Sequence, residues 1–234
     1  MPQSPVLCAI LGFLSTVLLC PGLNAEGAGA ILRAVSARYT SATDYTLRLR
    51  TKSGTASFDI TLAARRPHQC MARQTARGPD PFELLLITDA TTVWGYQPHR
   101  KLYTRFGPGP GDERTELERL HHLYFGRFQF LDRLAARASV VGTGSVQSGG
   151  QRVRCLRIRI EPTGGSDAEE LWIDTARHLV LKSVARGKRP LPETGDLVTT
   201  AVWRECNLDR SVDPGILSFT PPPGARRTNT LEFR

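Results

Sequence analysis

Most of this chain consists of segments in which apolar and polar residues alternate with a period of two, the pattern of a β-strand with one buried face. Leu47 and Leu49 alternate with arginines, and the segment 151–161 alternates arginines with aliphatic residues. Most of these segments follow one another with no helical segment between them. Because parallel strands need long crossover connections, usually helices, this order predicts an antiparallel sheet of about nine to eleven strands.

Two segments have apolar residues at helical spacing instead. The first spans 30–39, and the second spans 113–138, where the pattern predicts one helix or two helices broken at Gly126. The glycine–proline run 107–111 between the strands and the second helical segment is predicted to be a flexible loop. A glycine- and serine-rich turn is predicted over 142–150.

These elements favour one fold class. A sheet of this size tends to curl, and its apolar face has to be covered. The two helical segments are the candidates for that cover. We therefore predict an α+β, mainly β fold, in which a curled antiparallel sheet forms a half-open β-barrel with helices over the concave face. Loose coverage leaves a hydrophobic cavity, the usual geometry of a ligand site.

The N-terminus predicts export. The first 25 residues contain no charged side chain, and an apolar run over 6–19 is followed by Pro21-Gly22 and Ala25. This order is typical of a signal peptide, although the basic segment that usually precedes the apolar run is missing. A membrane anchor is the alternative, but the run is shorter than the ~20 residues of a spanning helix. We predict a signal peptide over 1–25 and a single periplasmic domain over 26–234.

Cleavage near Ala25 would leave three cysteines, Cys70, Cys155 and Cys206. An odd number in an oxidising compartment predicts either one structural disulfide, whose pair the sequence does not choose, or three half-buried thiols. Their wide spacing does not fit a metal or redox motif. We predict no metal and no cofactor.

The net charge of +9, from 31 basic and 22 acidic residues, restricts the partners. The arginines are spread over most predicted strands, and no basic run is interleaved with aromatics, so nucleic acid is not a predicted partner. A basic face suits transient contact with an anionic membrane surface, since each cation near it contributes ~1 kcal/mol. Plain solubility is the alternative explanation.

The sequence lacks a catalytic constellation. The pair His121-His122 has no Glu-x-x-His partner, and the segment 142–144 lacks the third glycine of a dinucleotide loop. No Gly-x-Ser-x-Gly elbow occurs. Glu169, Glu170 and Asp174 have no base assigned to them, and acid–base catalysis needs partners in mutual reach. We therefore predict a binding protein and not an enzyme.

Three motifs carry a resemblance to a known family. Residues 64–67 are Ala-Arg-Arg-Pro, and 84–98 run Leu-Leu-Leu-Ile-Thr-Asp-Ala-Thr-Thr-Val-Trp-Gly-Tyr-Gln-Pro. Near the end, 217–225 run Leu-Ser-Phe-Thr-Pro-Pro-Pro-Gly-Ala. In this order they resemble the periplasmic lipoprotein carrier (LolA) family, in which Lys/Arg-Arg-Pro ends a strand. There, a segment of the type Ile-x-x-Asp-Gly-x-x-Leu-Trp-x-Tyr-x-Pro and a closing Phe-x-Phe-x-Pro-Pro-x-Gly run follow. Asp89-Ala90 departs from the family's Asp-Gly turn.

The resemblance implies a half-open barrel with a helical lid that binds the acyl chains of lipoproteins or other lipids. Such carriers pass cargo from an inner-membrane transporter to an outer-membrane receptor, and the arginine before the proline, here Arg66, handles cargo. The alternative for Arg66 is a solvated charge that protects an edge strand from pairing. The same fold also serves regulators that sense mislocalised lipoproteins.

The alternation places one set of apolar side chains on a single face of each strand, and we predict that this set lines an acyl cavity. Filling a dry core is the alternative. We therefore predict a non-catalytic periplasmic carrier that delivers acylated cargo toward the outer membrane. A lipid-sensing regulatory or scaffold protein is the first alternative, and a hydrolase on a similar cavity is the second. The predicted lining residues are Leu47, Leu49, Phe58, Ile60, Leu62, Leu84, Leu86, Trp94, Tyr96, Leu156, Ile158 and Ile160.

Overall fold

A computed structural model describes most of the chain after the predicted signal peptide. Residues 1–22, Arg66 and the loop 107–111 lie outside the described residues. The described residues are 23–65, 69–76, 81–89, 91–106, 112–162, 168–188, 196–208 and 210–231.

The described residues form two α-helices, three 3₁₀ segments and twelve strands. The helices are α1 (Leu23–Ser41) and α2 (Asp112–Tyr124), and the 3₁₀ segments are Pro98–Arg100, Gly126–Arg137 and Pro214–Leu217. The strands are β1 (Asp44–Ser53), β2 (Ala56–Arg65), β3 (Gln69–Ala76), β4 (Phe82–Asp89), β5 (Val93–Gln97), β6 (Leu102–Phe106), β7 (Ala138–Ser148), β8 (Gln151–Ile160), β9 (Ala168–Asp174), β10 (Leu179–Lys188), β11 (Asp196–Leu208) and β12 (Arg226–Arg227).

All twelve strands belong to one sheet, in the order β12-β6-β5-β4-β3-β2-β1-β11-β10-β9-β8-β7. Every neighbouring pair is antiparallel except β12 with β6, which is parallel. The predicted mainly β, antiparallel architecture is therefore confirmed. The edge strands β12 and β7 do not pair with each other, so the sheet is open.

The predicted turn over 142–150 is wrong in its extent. Strand β7 continues to Ser148, and only Gly149 and Gly150 form the turn to β8. Both glycines have positive φ, 59° and 76°, which suits a two-residue hairpin loop. Gly142, with φ 142°, marks a register shift within the strand. Strand β7 is rich in glycine and contains a bulge, so its composition resembles that of a loop, and this is why the sequence pattern predicted a turn.

The second helical region is divided, as one of the two predicted alternatives has it. Helix α2 ends at Tyr124, and a 3₁₀ segment begins at Gly126. Phe125 between them has non-helical backbone angles, φ −137° and ψ −59°. None of the helices formed by the described residues is long and apolar enough to cross a membrane.

One face of the sheet packs against the helices and forms the main core. The buried side chains of α1 include Leu32, Val35 and Tyr39, and those of α2 include Leu117 and Leu120. They join the inward side chains of the strands in one hydrophobic cluster. Burying an aliphatic or aromatic side chain of this size contributes about 1.5–3 kcal/mol, so this cluster is the main source of stability.

The opposite face is partly covered by the C-terminal segment 211–219. Val212 and Leu217 pack in a second small cluster against Met71 and Ile87 of the sheet. Arg65 fixes the start of this segment, because its Nη2 donates a hydrogen bond of 2.6 Å to the carbonyl of Val212. The chain end therefore acts as a strap across β2, β3 and β4.

Trp172 on β9 lies over a glycine of β7. Its indole Nε1 donates to Glu170 Oε1 at 2.7 Å, and the cations of Arg157 and Lys182 lie 5.2 and 4.3 Å from its ring centroid. A Cβ atom at Gly144 would lie 2.3 Å from the ring atom Cζ3. The absence of a side chain at this position lets the tryptophan pack across the strands.

We expect Gly144→Ala to lower the free energy of unfolding by about 1–3 kcal/mol, because the methyl group displaces the Trp172 ring. Urea denaturation measures the change. Gly27→Ala in α1 is the matched control, since its added Cβ meets no atom within 4 Å. The control should be neutral or stabilising by up to about 1 kcal/mol. Equal midpoints for Gly144→Ala and the parent protein would contradict the packing argument.

Candidate functional site

The strand register places ten of the twelve predicted lining residues on the helix-covered face. Leu47 pairs with Leu62, and Ile60 pairs with Leu49, so β1 and β2 present them together. Eight of the ten are buried in the main core, and Phe58 and Leu156 are partly buried against it. The eight are Leu47, Leu49, Ile60, Leu62, Leu84, Leu86, Ile158 and Ile160.

Trp94 and Tyr96 lie on the opposite face. Their cross-strand partners are Ile87 and Leu85, and cross-strand partners share a face. Both rings contact Phe219 of the C-terminal strap, with centroids 5.5 and 5.4 Å apart. The structure therefore does not bring these two aromatics together with the other ten residues.

One half of the helix-covered face is occupied by large side chains of the protein itself. Trp203 of β11 lies edge-on to Phe128, with ring centroids 5.4 Å apart, and Phe128 lies edge-on to Tyr39 of α1 at 5.2 Å. All three side chains are completely buried. This half, beneath α1 and the 3₁₀ segment Gly126–Arg137, is a packed aromatic core.

The other half, beneath α2, has a floor of small residues. One cross-strand row runs from β2 to β6 through Leu62, Ala72, Leu86, Gly95 and Thr104. Three of these five residues, on β3, β5 and β6, have small side chains or none. Helix α2 contacts β3, β4 and β5 above this row. The inward side chains of the sheet are therefore smallest in the part that α2 covers.

Buried polar groups that make no hydrogen bond with the described residues accompany this floor. The hydroxyl of Thr104 is buried and makes no hydrogen bond with the described residues. The same holds for Nε and Nη2 of Arg114 in the first turns of α2. Burial raises the pKa of the Cys70 thiol on β3 to about 12; Glu118 adds to the rise and the positive charge of Arg114 opposes it. A buried donor without a partner is costly, and a polar group of a ligand could satisfy it.

His121 attaches α2 to the sheet. Its Nε2 lies 3.1 Å from the carbonyl oxygen of Met71, and its Nδ1 lies 2.5 Å from the hydroxyl of Tyr45. Because a carbonyl only accepts, Nε2 carries the proton, and the Tyr45 hydroxyl donates to Nδ1. Burial lowers the pKa of His121 to about 4, against a smaller opposing effect of the hydrogen bond to Met71.

Helix α2 ends at a break in the helical backbone at Phe125, which we call the joint. The Tyr45 ring stacks on Phe125, with centroids 3.8 Å apart and an interplanar angle of 9°. After the break, the 3₁₀ segment is held to α1, where Ser36 Oγ donates to the carbonyl of Gln129. Gln129 Nε2 in turn donates to the carbonyl of Tyr39 at 3.2 Å. The segment after Gly126 is thus fixed to α1, whereas α2 rests on the sheet.

Cys70, Cys155 and Cys206 are free thiols, as in the second predicted alternative, but only Cys70 is half-buried, whereas Cys155 and Cys206 are buried. Burial raises the pKa of Cys155 and of Cys206 to about 11 each, so both stay protonated at neutral pH. The Cys206 sulfur lies 3.8 Å from the Tyr39 hydroxyl. In the part of the chain that the structure describes, no group of three or more His, Cys, Asp and Glu could hold a metal ion.

Sequence reasoning missed the small floor residues and the role of His121. The alternation of the strands could have predicted the small floor residues, since Ala72 and Gly95 occupy inward positions of their strands. Nothing in the sequence near His121 predicts its contact with Tyr45, which lies 76 residues earlier in the chain.

Comparison with known proteins shows the fold. No sequence family and no curated protein matches this chain. Among solved structures, it is similar to MucB, with a TM-score of 0.53 and 14% identity over 83% of this chain and 63% of that chain. It is also similar to a chain of the Pseudomonas aeruginosa MucA/MucB complex, with a TM-score of 0.50 and 14% identity over 83% and 61%. The chain spans about three fifths of the length of these structures.

Acidification should weaken the attachment of α2. The pKa of His121 is about 4 in the folded protein and about 6.5 when unfolded, so between these values only the unfolded chain binds the proton. We expect the free energy of unfolding to fall by about 2–3 kcal/mol from this group as the pH drops from 7 to 4.

Denaturant titrations over that pH range measure the effect. His121→Phe should remove this part of the pH dependence, whereas the exposed neighbour variant His122→Gln should retain it. An unchanged slope in His121→Phe would show that the imidazole is not held neutral by the fold.

Proposed function

We propose that this protein is an exported, non-catalytic carrier that binds acyl chains of lipids or lipoproteins between α2 and the sheet and delivers them toward the outer membrane. The observation that carries the proposal is the row of small inward residues, Ala72, Gly95 and Thr104, on the face where α2 contacts β3, β4 and β5 and then ends at a break in the helix. Separation of α2 from this floor would expose a greasy groove between β1 and β6.

The driving force needs no catalytic group. Burying each CH₂ of an acyl chain contributes about 0.8 kcal/mol, and the neighbouring inward side chains Leu62, Leu84 and Leu86 are aliphatic. The Thr104 hydroxyl and the Nε and Nη2 atoms of Arg114, which make no hydrogen bond with the described residues, offer hydrogen bonds to a polar head. Curvature of the sheet into a half-barrel around the cargo is part of this proposal.

A lipid-sensing regulatory role is the second candidate, and the fold similarity to MucB from a MucA/MucB complex favours it. In that case the chain would bind a protein partner and change that binding when lipid occupies the groove. The two roles differ in what happens to the ligand. A carrier releases its acyl ligand to acceptor membranes, whereas a sensor keeps it and changes its affinity for a protein.

Thr104→Leu tests the groove, because a larger side chain at the floor occupies the space for the acyl chain. Protein prepared from the periplasm is extracted with organic solvent, and bound acyl material is measured by mass spectrometry. We expect a severalfold lower acyl content per protein. Thr75→Leu on β3 is the matched control, because Thr75 pairs with Asp59 on the opposite face, and it should keep its ligand.

Three outcomes would contradict the acyl groove. The parent protein could yield no acyl material, or Thr104→Leu could fail to fold because the floor is already filled by the protein's own side chains. A full acyl content in Thr104→Leu would also place the ligand elsewhere.

Arg66→Leu tests the cargo-handling role that the motif similarity implies. We expect Arg66→Leu to change the rate at which the acyl ligand is released to acceptor vesicles. The melting temperature should stay close to that of the parent protein. Arg65→Leu is the contrasting variant, since Arg65 lies 3.7 Å from Asp44 and bonds the Val212 carbonyl. Arg65→Leu should lower the melting temperature and leave release unchanged. Unfolding caused by Arg66→Leu would contradict a functional role for Arg66.

A further inference from the structure

A basic cavity of about 620 Å³ lies between the tip of the β7–β8 hairpin and strands β1 and β11. Arg50 and Lys52 of β1 and Arg204 of β11 contribute the cations, and Val202 contributes an apolar surface. Arg50 pairs with Val202 and Asp59, on the sheet face opposite Leu49. The cavity is therefore on the other side of the sheet from α2.

The hairpin tip is fixed over β11 by two hydrogen bonds to one carbonyl. Gly149 N donates to the carbonyl of Arg204 at 2.6 Å, and Ser148 Oγ donates to the same oxygen at 3.3 Å. Gly149 and Gly150 contribute only backbone atoms to the cavity wall, so no side chain from these two positions narrows the cavity. The wall is thus held in place before any ligand binds, which reduces the entropy cost of binding.

The lining carries an excess of positive charge and includes no carboxylate. Arg50 is compensated, because its Nε and Nη2 each lie 2.8 Å from an oxygen of Asp59. Lys52 and Arg204 have no carboxylate partner among the described residues. Two positive charges therefore face the cavity without a compensating carboxylate from the described residues.

We propose that this cavity binds a phosphate monoester group. Such a group carries about −1.5 to −2 charges at neutral pH, which matches the two uncompensated cations. The planar guanidinium of Arg204 can bond two phosphate oxygens at once, and Lys52 adds a flexible point charge. Val202 suits the apolar carbons attached to the phosphate. The proposal does not depend on the acyl groove, because the two sites lie on opposite faces.

Two arms of one experiment distinguish the source of the phosphate. Glycerol 3-phosphate is titrated into the full chain by calorimetry, and vesicles of phosphatidylcholine with or without phosphatidate are tested by co-sedimentation. Binding to glycerol 3-phosphate supports a soluble phosphomonoester as the ligand, and binding to phosphatidate vesicles alone supports a lipid headgroup. Absence of binding in both arms overturns the proposal.

The double variant Lys52→Gln/Arg204→Gln removes the two cavity cations that have no carboxylate partner among the described residues. A basic side chain near an anionic surface contributes about fivefold in affinity, so we expect roughly 30-fold weaker binding. Both side chains are exposed, so the fold should persist. The control Lys101→Gln/Arg227→Gln removes the same charge at the β6–β12 edge, far from the cavity in strand order. The control should bind with the affinity of the parent protein. An equal loss of affinity in the control would overturn the proposal, because it would show a general effect of net charge.

Discussion

Backbone pairing across one continuous sheet is the constraint on which the rest of this structure depends. Each inner strand bonds neighbours on both sides, so its N–H and C=O groups are satisfied without water. The pairing also assigns every side chain to one of two faces, and a slip of one residue would exchange Leu47 with Arg48. The helices, the C-terminal strap and both proposed sites are placed by this register.

The two faces are covered unevenly, and the proposed sites follow from that. Beneath α1 the aromatic rings of Tyr39, Phe128 and Trp203 fill the space above the sheet. Beneath α2 the row through Gly95 and Thr104 offers little side-chain volume, while His121 holds the helix by hydrogen bonds. On the opposite face the strap covers β2 to β4 and leaves β1 and β11 to the β7–β8 hairpin tip.

Sequence patterns predicted the elements better than their relations. The strands, their antiparallel order and the break near Gly126 were predictable, because alternation, helical spacing and glycine act within a few residues. Alternation also predicted that Trp94 and Tyr96 share a face of β5. It did not predict that this face of the sheet is the one opposite Leu84 and Leu86. That relation depends on the pairing of β4 with β5, which the connecting turn sets. Glycines in β7 gave a strand the composition of a loop.

The sequence by itself determined a mainly antiparallel β protein with one apolar face per strand and a strong excess of arginine. Only the tertiary structure decided that Phe219 packs on Trp94, that His121 accepts a hydrogen bond from the Tyr45 hydroxyl, and that Ser148 reaches the carbonyl of Arg204. The reason is physical. Alternation and helix breaking are local properties of the backbone, whereas these contacts join residues more than 50 positions apart, and no short segment encodes them.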